Sequence, residues 1–359
     1  MTAEAFSRAA TTSPDVATAS TASPRQRLLV TLAALVVVLA AVAACAVFLG
    51  SAGIAPAAVV RVLSGRAEPD SVERVVTLAL RLPRIAAAAL AGGALAVAGA
   101  AFQGLTRNPL AEPAVLGVSA GAAFGVVTAQ VFGLGVTLVD ALGLTACAFV
   151  GALGAAGAVY LIASAGAGLS VQTLLLAGVI VGVFFSSAIT VLISIVDINR
   201  LGGVIHWLLG NLAPIPPAPL LLFAALTGLG FWLVVGQARE LNLLALGEEP
   251  ARQLGVNAER LKRRIFVGAA LLTATVVAFA GPIGFVGLVV PHVLRGLLGQ
   301  DNRLLVPTSL VGGAIFLLVA DTVARNVVAP AEVSVGVITS FCGAPFFIYI
   351  LRTRARTAP

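Results

Sequence analysis

The chain has 359 residues, of which 59% are hydrophobic and 10% charged, with a mean hydropathy of +1.06 and a formal net charge of +7. Soluble domains carry about 25% charged residues, so 22 basic and 15 acidic side chains are too few to coat a particle that faces water. Soluble enzymes and disordered chains are excluded, and a basic excess that would raise nucleic-acid binding in a soluble protein asks here which side of a bilayer holds the charge.

Residues 1–26 are rich in Ala, Ser and Thr without an apolar period, the composition of a disordered tail. The run Leu28–Leu49 follows, longer than a signal-peptide core and matched to the roughly 20 residues that cross about 30 Å of hydrocarbon. Val42-Ala43-Ala44-Cys45 resembles a lipoprotein cleavage box, but more apolar sequence follows and a plain first span is the better reading. Nine further spans are expected near Ile85–Thr106, Ala114–Phe132, Ala141–Ser164, Thr173–Val196, Leu220–Gly236, Ile265–Ala280, Phe285–Leu298, Leu304–Val323 and Val333–Leu351. The run Phe285–Leu298 is short and carries Pro291, which should kink or break it. None of the runs alternates as a barrel strand would, and only helices or closed barrels satisfy their backbone in lipid. The expectation is an all-α polytopic membrane protein: ten transmembrane helices over residues 27–352, then a short tail, 353–359.

Ten spans place both termini on one side. With cytoplasmic termini, 15 of the 22 basic residues fall inside, among them Arg107, Arg239, Arg252, Arg260, Lys262, Arg263, Arg264, Arg295 and Arg303. The seven outside, including Arg81, Arg84 and Arg325, are balanced by seven acids, so the net charge lies inside, as the positive-inside rule requires. Gly117, Gly121 and Gly125 recur every four residues, as do Gly178 and Gly182, a spacing that lets helix backbones approach closely. Cys45, Cys147 and Cys342 lack zinc or disulfide spacing and read as small buried hydrophobes.

The span interiors lack titratable relays or an arginine ladder, and burying such a charge costs about 2.5–3.5 kcal/mol on insertion scales. No phosphate-binding GxxxxGK[ST] loop, HExxH, GxSxG or carboxylate pair occurs. The chain is therefore expected to bind no cofactor and to catalyse nothing itself; any uphill transport must draw energy from another polypeptide touching an inner loop.

The longest inner connection, Glu240–Val256, has the features of such a contact. It reads as two short helices broken at Gly247, with Glu248 and Glu249 in a first turn, Pro250 at the first helical position and Gly255 at the end. Leu243, Leu244, Leu246, Leu254 and Val256 alternate with charged residues such as Arg252, a surface suited to docking.

The stretch Ala245-Leu-Gly-Glu-Glu-Pro-Ala-Arg-Gln-Leu-Gly-Val256 resembles the coupling segment of the permeases of iron–siderophore, haem and cobalamin ABC importers, the FecCD type. So do Arg81-Leu-Pro-Arg84, Asn108-Pro109-Leu110-Ala111-Glu112-Pro113, Trp207-Leu-Leu-Gly210, Gly284-Phe-Val-Gly287-Leu-Val-Val-Pro291-His292, Ala320-Asp321-Thr-Val-Ala-Arg325 and Gly343-Ala-Pro345. The resemblance implies a second permease subunit, identical or paralogous, two ABC ATPase subunits that hold the ATP and magnesium, and an extracytoplasmic substrate-binding protein, assembled in a prokaryotic cytoplasmic membrane. It implies that the ATPase couples through Leu244, Leu246, Gly247, Glu248, Glu249, Arg252, Leu254 and Gly255. It implies too that Arg81, Arg84 and Arg325 face glutamates of the binding protein, although interfacial anchoring with an Asp321–Arg325 i,i+4 pair is the rival reading. The inner gate is expected at Asn108, Pro109 and Leu110 together with Val171 and Gln172. Ala165–Ser170 departs from the family's hydroxyl and basic pattern there, and Pro250 from its usual small residue. The cargo implied is a ferric siderophore, with haem or cobalamin as alternatives and an ATPase-independent carrier as the rival class.

Overall fold

The structure, a computed structural model, describes residues 23–133, 143–166, 168–196 and 198–357. The first helix, α1 (Pro24–Phe48), opens on Ser23, whose hydroxyl oxygen accepts the Gln26 N–H at 3.2 Å, with Pro24 where its missing N–H is no loss. The helix thus starts inside the stretch expected to be tail; residues 1–22 of that tail lie outside the described residues. Two short helices, α2 (Pro56–Leu63) and α3 (Val72–Arg74), and a π-helical stretch, Val75–Arg81, lead into α4 (Leu82–Thr106). A 3₁₀ turn, Pro113–Leu116, precedes α5 (Val118–Phe132), α6 (Gly143–Ala163), α7 (Val171–Ile195), α8 (Ile198–Leu208) and α9 (Pro217–Val235). The two short helices α10 (Ala238–Leu244) and α11 (Glu248–Gln253) are followed by α12 (Ala258–Ala280), α13 (Val286–Leu298), α14 (Asn302–Asn326) and α15 (Val335–Thr357).

Among the described residues, seven helical stretches are long and apolar enough to cross a bilayer: α1, the continuous rod Val72–Thr106, α6, α7, α9, α12 and α14. Shorter apolar helices at Val118–Phe132, Val286–Leu298 and Val335–Ile350 coincide with the other three expected spans. Several boundaries differ from expectation. Helix α12 begins seven residues before Ile265, because Asn257 caps it through the Arg260 N–H at 3.0 Å and its basic first turns remain helical. Helix α15 runs on to Thr357 where a tail was expected from residue 353, and residues 358–359 lie outside the description. So do Asp140 and Asp197, counted among the outer acids, and the expected start of the fourth span at Ala141. Cys45 and Cys342 are exposed and Cys147 is half-buried, contrary to the buried reading.

Helix α4 is the axis of the bundle, nearly all Ala, Gly and other small residues and almost wholly buried. A Cβ on Gly92 would strike the Gly313 carbonyl of α14, and one on Gly99 the Gly287 carbonyl of α13. Close backbone approach of this kind is how helices associate where lipid removes the hydrophobic drive. The same packing joins Gly121 on α5 to Gly151 on α6, and Gly117 to Gly178 on α7. By contrast α1, α7 and α9 turn large apolar side chains outward, among them Val37, Phe184, Leu221 and Trp232, as a lipid-facing surface would.

Pro291 does not break α13. A proline cannot donate to the carbonyl four residues back, here that of Gly287, and the Gln103 side-chain amide of α4 donates to that oxygen instead at 3.2 Å. The freed acceptor is satisfied by a neighbouring helix, as happens for membrane-embedded prolines, and the helix continues to Leu298.

Helix direction sorts the charges to two ends. The C-terminal ends of α1 and α14 meet the start of α4 at one end, where Arg81, Arg84 and Arg325 gather. At the other end lie α10, α11 and the first turns of α12 and α14, with Lys262 beside Leu169 and Asn242 beside Asn302.

Candidate coupling, gate and outer-face sites

The segment expected to couple to an ATPase is built as two short anchored helices, with exposed residues beside buried ones. Gly247 caps α11 with φ 120° and ψ 159°, a conformation reserved for glycine, so the break falls where the sequence placed it. Pro250 is the third residue of α11 rather than the first; the whole first turn has unpartnered N–H groups, so proline is tolerated there too. Leu244 is only 1% exposed and packs inward with Leu241, Ala251 and Val256, whereas Leu246 and Leu254 are 64% and 59% exposed. Glu249, Pro250, Arg252 and Gly255 are exposed beside them. The alternation read in the sequence is thus a division between roots and an apolar surface rimmed by charge.

Each short helix is tied to a different part of the bundle. On α10, the Asn242 side-chain oxygen accepts from the Asn302 backbone and side chain, both at 2.8 Å, while its NH₂ donates to Asp301 at 2.6 Å. Burial works against the Asp301 carboxylate, but the Asn242 and Arg303 donors outweigh it and hold its pKa below the ordinary carboxylate value. On α11, Glu248 pairs with Lys262 of α12 at 3.0 Å.

At the far end, the three arginines expected to stand outward are buried: Arg81 is 5%, Arg84 8% and Arg325 3% exposed. Arg84 pairs with Asp321 at 3.0 Å and with Glu332 at 2.7 Å, and Arg325 pairs with Asp321 at 3.0 Å. The i,i+4 pair weighed in the sequence is therefore present, within a larger network. Arg81 donates to the Val47 carbonyl at 2.7 Å, but its second terminal nitrogen has no hydrogen-bond partner. The Arg81 side chain is among those lining a cavity of about 280 Å³, with Gly50, Ser51, Pro214 and Glu332. Three positive groups face two negative ones, and Arg81 carries the surplus.

The expected gate residues occupy two places. Asn108, Pro109 and Leu110 form a tight turn in which the Asn108 side chain accepts the Leu110 N–H at 3.0 Å. Val171 and Gln172 form the first turn of α7, capped by Ser170 through the Thr173 N–H at 3.3 Å. No hydrogen bond among the described residues joins the two sets. The segments that carry them, rather than the sets themselves, meet further along, where Val115 and Gly117 pack on Gly178. There an open groove of about 550 Å³ runs between α5 and α7, with Ser119, Ser186, Ser187 and Thr190 among its walls. Glu112 braces the returning loop by accepting the Phe285 N–H at 2.8 Å.

The profile of the FecCD transport family matches residues 32–353. The chain belongs to that family. It is 41% identical over 282 residues to the hemin transport system permease protein of Yersinia pestis, covering 78% of this chain and 84% of that one. It is 40% identical over 281 residues to the cobalamin import system permease protein of Halobacterium salinarum, covering 78% and 74%. An uncharacterised ABC transporter permease of Bacillus subtilis is 41% identical over 277 residues, covering 77% and 78%. Among solved structures, an inward-facing metal-chelate-type ABC transporter superposes with a TM-score of 0.77 at 31% identity, covering 90% of this chain and 99% of that one.

This FecCD permease is the membrane subunit of an ABC importer. Three residues of these networks escaped the sequence reading: Lys262 and Glu259, which link Glu248 of α11 to the Leu169 backbone just before α7, and Glu332, which pairs with Arg84. Their partners lie far away in the chain, so spacing carried no signal for them. The one available clue was that Lys262 is the only lysine in a chain that otherwise uses arginine.

Proposed function

We propose that the permease passes a ferric siderophore, or a closely similar metal chelate, across the cytoplasmic membrane of a prokaryote by alternating access. In this reading ten helices cross the bilayer with both termini in the cytoplasm. The clustering of basic residues at the end that bears α10 and α11 supports that orientation. Two ABC ATPases dock beneath a pair of permeases, on the outward face of Leu246, Arg252 and Leu254, and ATP-driven motion enters through α10 and α11. The single observation that carries this is the build of the segment: an exposed leucine just beyond the end of each of two short helices, Leu246 and Leu254, with each helix anchored to a separate span.

The groove between α5 and α7 supplies the chelate's path once a second permease covers it, and the Asn108–Leu110 turn with the Val171–Gln172 start of α7 closes its inner end. At the outer end a binding protein engages Arg81, Arg84 and Arg325. Arg81 carries the positive charge that Asp321 and Glu332 leave over, which attracts an incoming carboxylate, and Glu332 occupies Arg84 as the chain's own carboxylate until the partner's replaces it. Arginine's planar fork suits such an exchange.

Haem or cobalamin is the second reading, favoured by the names of the relatives above. The test is affinity purification of the tagged chain from its own membranes, with uptake of a ⁵⁵Fe-labelled siderophore competed by haemin and by cobalamin. An ATPase and a binding protein should co-purify, and unlabelled siderophore alone should compete. Competition by haemin or cobalamin only would reassign the cargo; uptake without an ATPase would refute the importer.

A further inference from the structure

Lys262 stands 4% exposed at the meeting point of three elements. Its ammonium group donates to the Leu169 carbonyl at 2.9 Å and to Glu259 at 2.9 Å, and pairs with Glu248 at 3.0 Å. The second oxygen of Glu259 accepts the Leu169 N–H at 2.7 Å. The backbone of Leu169 is therefore gripped on both sides, by a carboxylate and an ammonium that hold each other. The grip is close enough that a Cβ on Gly168 would fall 2.8 Å from the Glu259 carboxyl carbon.

These contacts span the distance between motor and path. Glu248 is the first residue of α11, the second coupling helix, and Leu169 lies two residues before Val171, where α7 begins. Helix α7 in turn forms one wall of the groove through Gly178, Gly182 and Ser186. Lysine suits the junction because its ammonium presents three donors, and here each meets an acceptor on a different segment. Buried charges are retained when every donor is met.

We infer that Lys262 is a positioning residue for transport: with Glu248 and Glu259 it forms a pin that transmits movement of α11 to the Leu169 end of α7. This rests on the importer reading. Glu248 is the strand of the pin that can be cut alone, since its side chain is one-third exposed and the Lys262–Glu259–Leu169 grip survives without it. The balance of forces is simple. With the pin intact, a displacement of α11 pulls on Lys262 and hence on the Leu169 backbone. Without it, α11 keeps its Ala251 packing and the attraction of Arg252 for Glu259 but has no direct ion pair to the ammonium that holds the Leu169 carbonyl.

The test uses the permease–ATPase complex in lipid nanodiscs, with ATP hydrolysis and hydrogen exchange of residues 165–172 measured with and without ATP and vanadate. In the wild-type complex, nucleotide should change exchange in that segment at least severalfold. In Glu248→Gln the nucleotide-dependent change at 165–172 should disappear while exchange in that segment without nucleotide stays as in the wild type, because the Lys262–Glu259–Leu169 grip is intact. Lys262→Arg should keep part of the response and Lys262→Met none. An undiminished response in Glu248→Gln overturns the pin, and so does a segment that ignores nucleotide in the wild type. Failure of any ATPase to co-purify sinks the importer reading, and the pin with it. If Lys262→Met does not assemble, Glu248→Gln still decides.

Discussion

Replacing Asp321 by Ala should destabilise the permease more than any other single change at its outer end. The carboxylate is fully buried and faces Arg84 and Arg325, each at 3.0 Å. Of the five charged groups gathered there, three are positive and two negative, so the substitution raises the local excess from one charge to two. Arg84 keeps Glu332 at 2.7 Å. Arg325 keeps only the Leu49 carbonyl and the Thr322 hydroxyl, both at 3.4 Å. Removing one partner of a buried pair costs about 3–5 kcal/mol, and retention of Glu332 by Arg84 places this case near the lower figure. At roughly 2–4 °C per kcal/mol for a domain of a couple of hundred residues, the detergent-solubilised protein should lose about 6–12 °C in a size-exclusion thermostability assay. Adding Arg325→Leu removes the stranded charge, so the double variant should recover part of the loss, with a coupling of about 1–3 kcal/mol. A shift under about 2 °C in Asp321→Ala, or strict additivity in the double variant, would show that the network does not stabilise the fold.

Three further outcomes are expected. Leu246→Asp with Leu254→Asp should abolish ATPase co-purification yet leave thermostability within about 2 °C, because both side chains are exposed and surface changes cost within about 0.5 kcal/mol each; retained co-purification would move the docking face elsewhere. Gly99→Val should lose several degrees, since its Cβ meets the Gly287 backbone and overpacking costs about 1–3 kcal/mol. Gly157→Ala, with nothing near its Cβ, should lose nothing in the same assay. Asp301 has a depressed pKa in the fold, so its contribution is full above the ordinary carboxylate value and is lost only as pH falls through the lower folded value. Hydrogen exchange of residues 238–246 should therefore stay slow through mildly acidic pH and rise only below it, and in Asp301→Asn it should lose that dependence.

The long apolar helices were legible because lipid leaves composition little freedom: a helix that must cross hydrocarbon declares itself in about 20 apolar residues. The break at Gly247 was legible for a local reason, a glycine ahead of two acidic residues. Helix α8 was missed because its polar and apolar residues mix over only 11 positions, and the start of α12 because a basic run reads as loop when it is a capped helix end. Pro291 misled because its remedy, Gln103, lies 184 positions from the carbonyl it satisfies. The burial of Arg84 depends on Asp321, 237 positions away. Charge counting could place these arginines at one end of the bundle, and helix spacing could offer the Asp321–Arg325 pair, but neither could see the distant partners of Arg84.

The most direct measurement is uptake of a ⁵⁵Fe-labelled siderophore into proteoliposomes that hold the permease, its binding protein and ATP, with and without the ATPase subunits. Accumulation should require the ATPase and hydrolysable ATP and should stop when Leu246 and Leu254 are both replaced by Asp. Accumulation that continues with the ATPase left out would contradict the assignment of the driving force to a partner beneath α10 and α11.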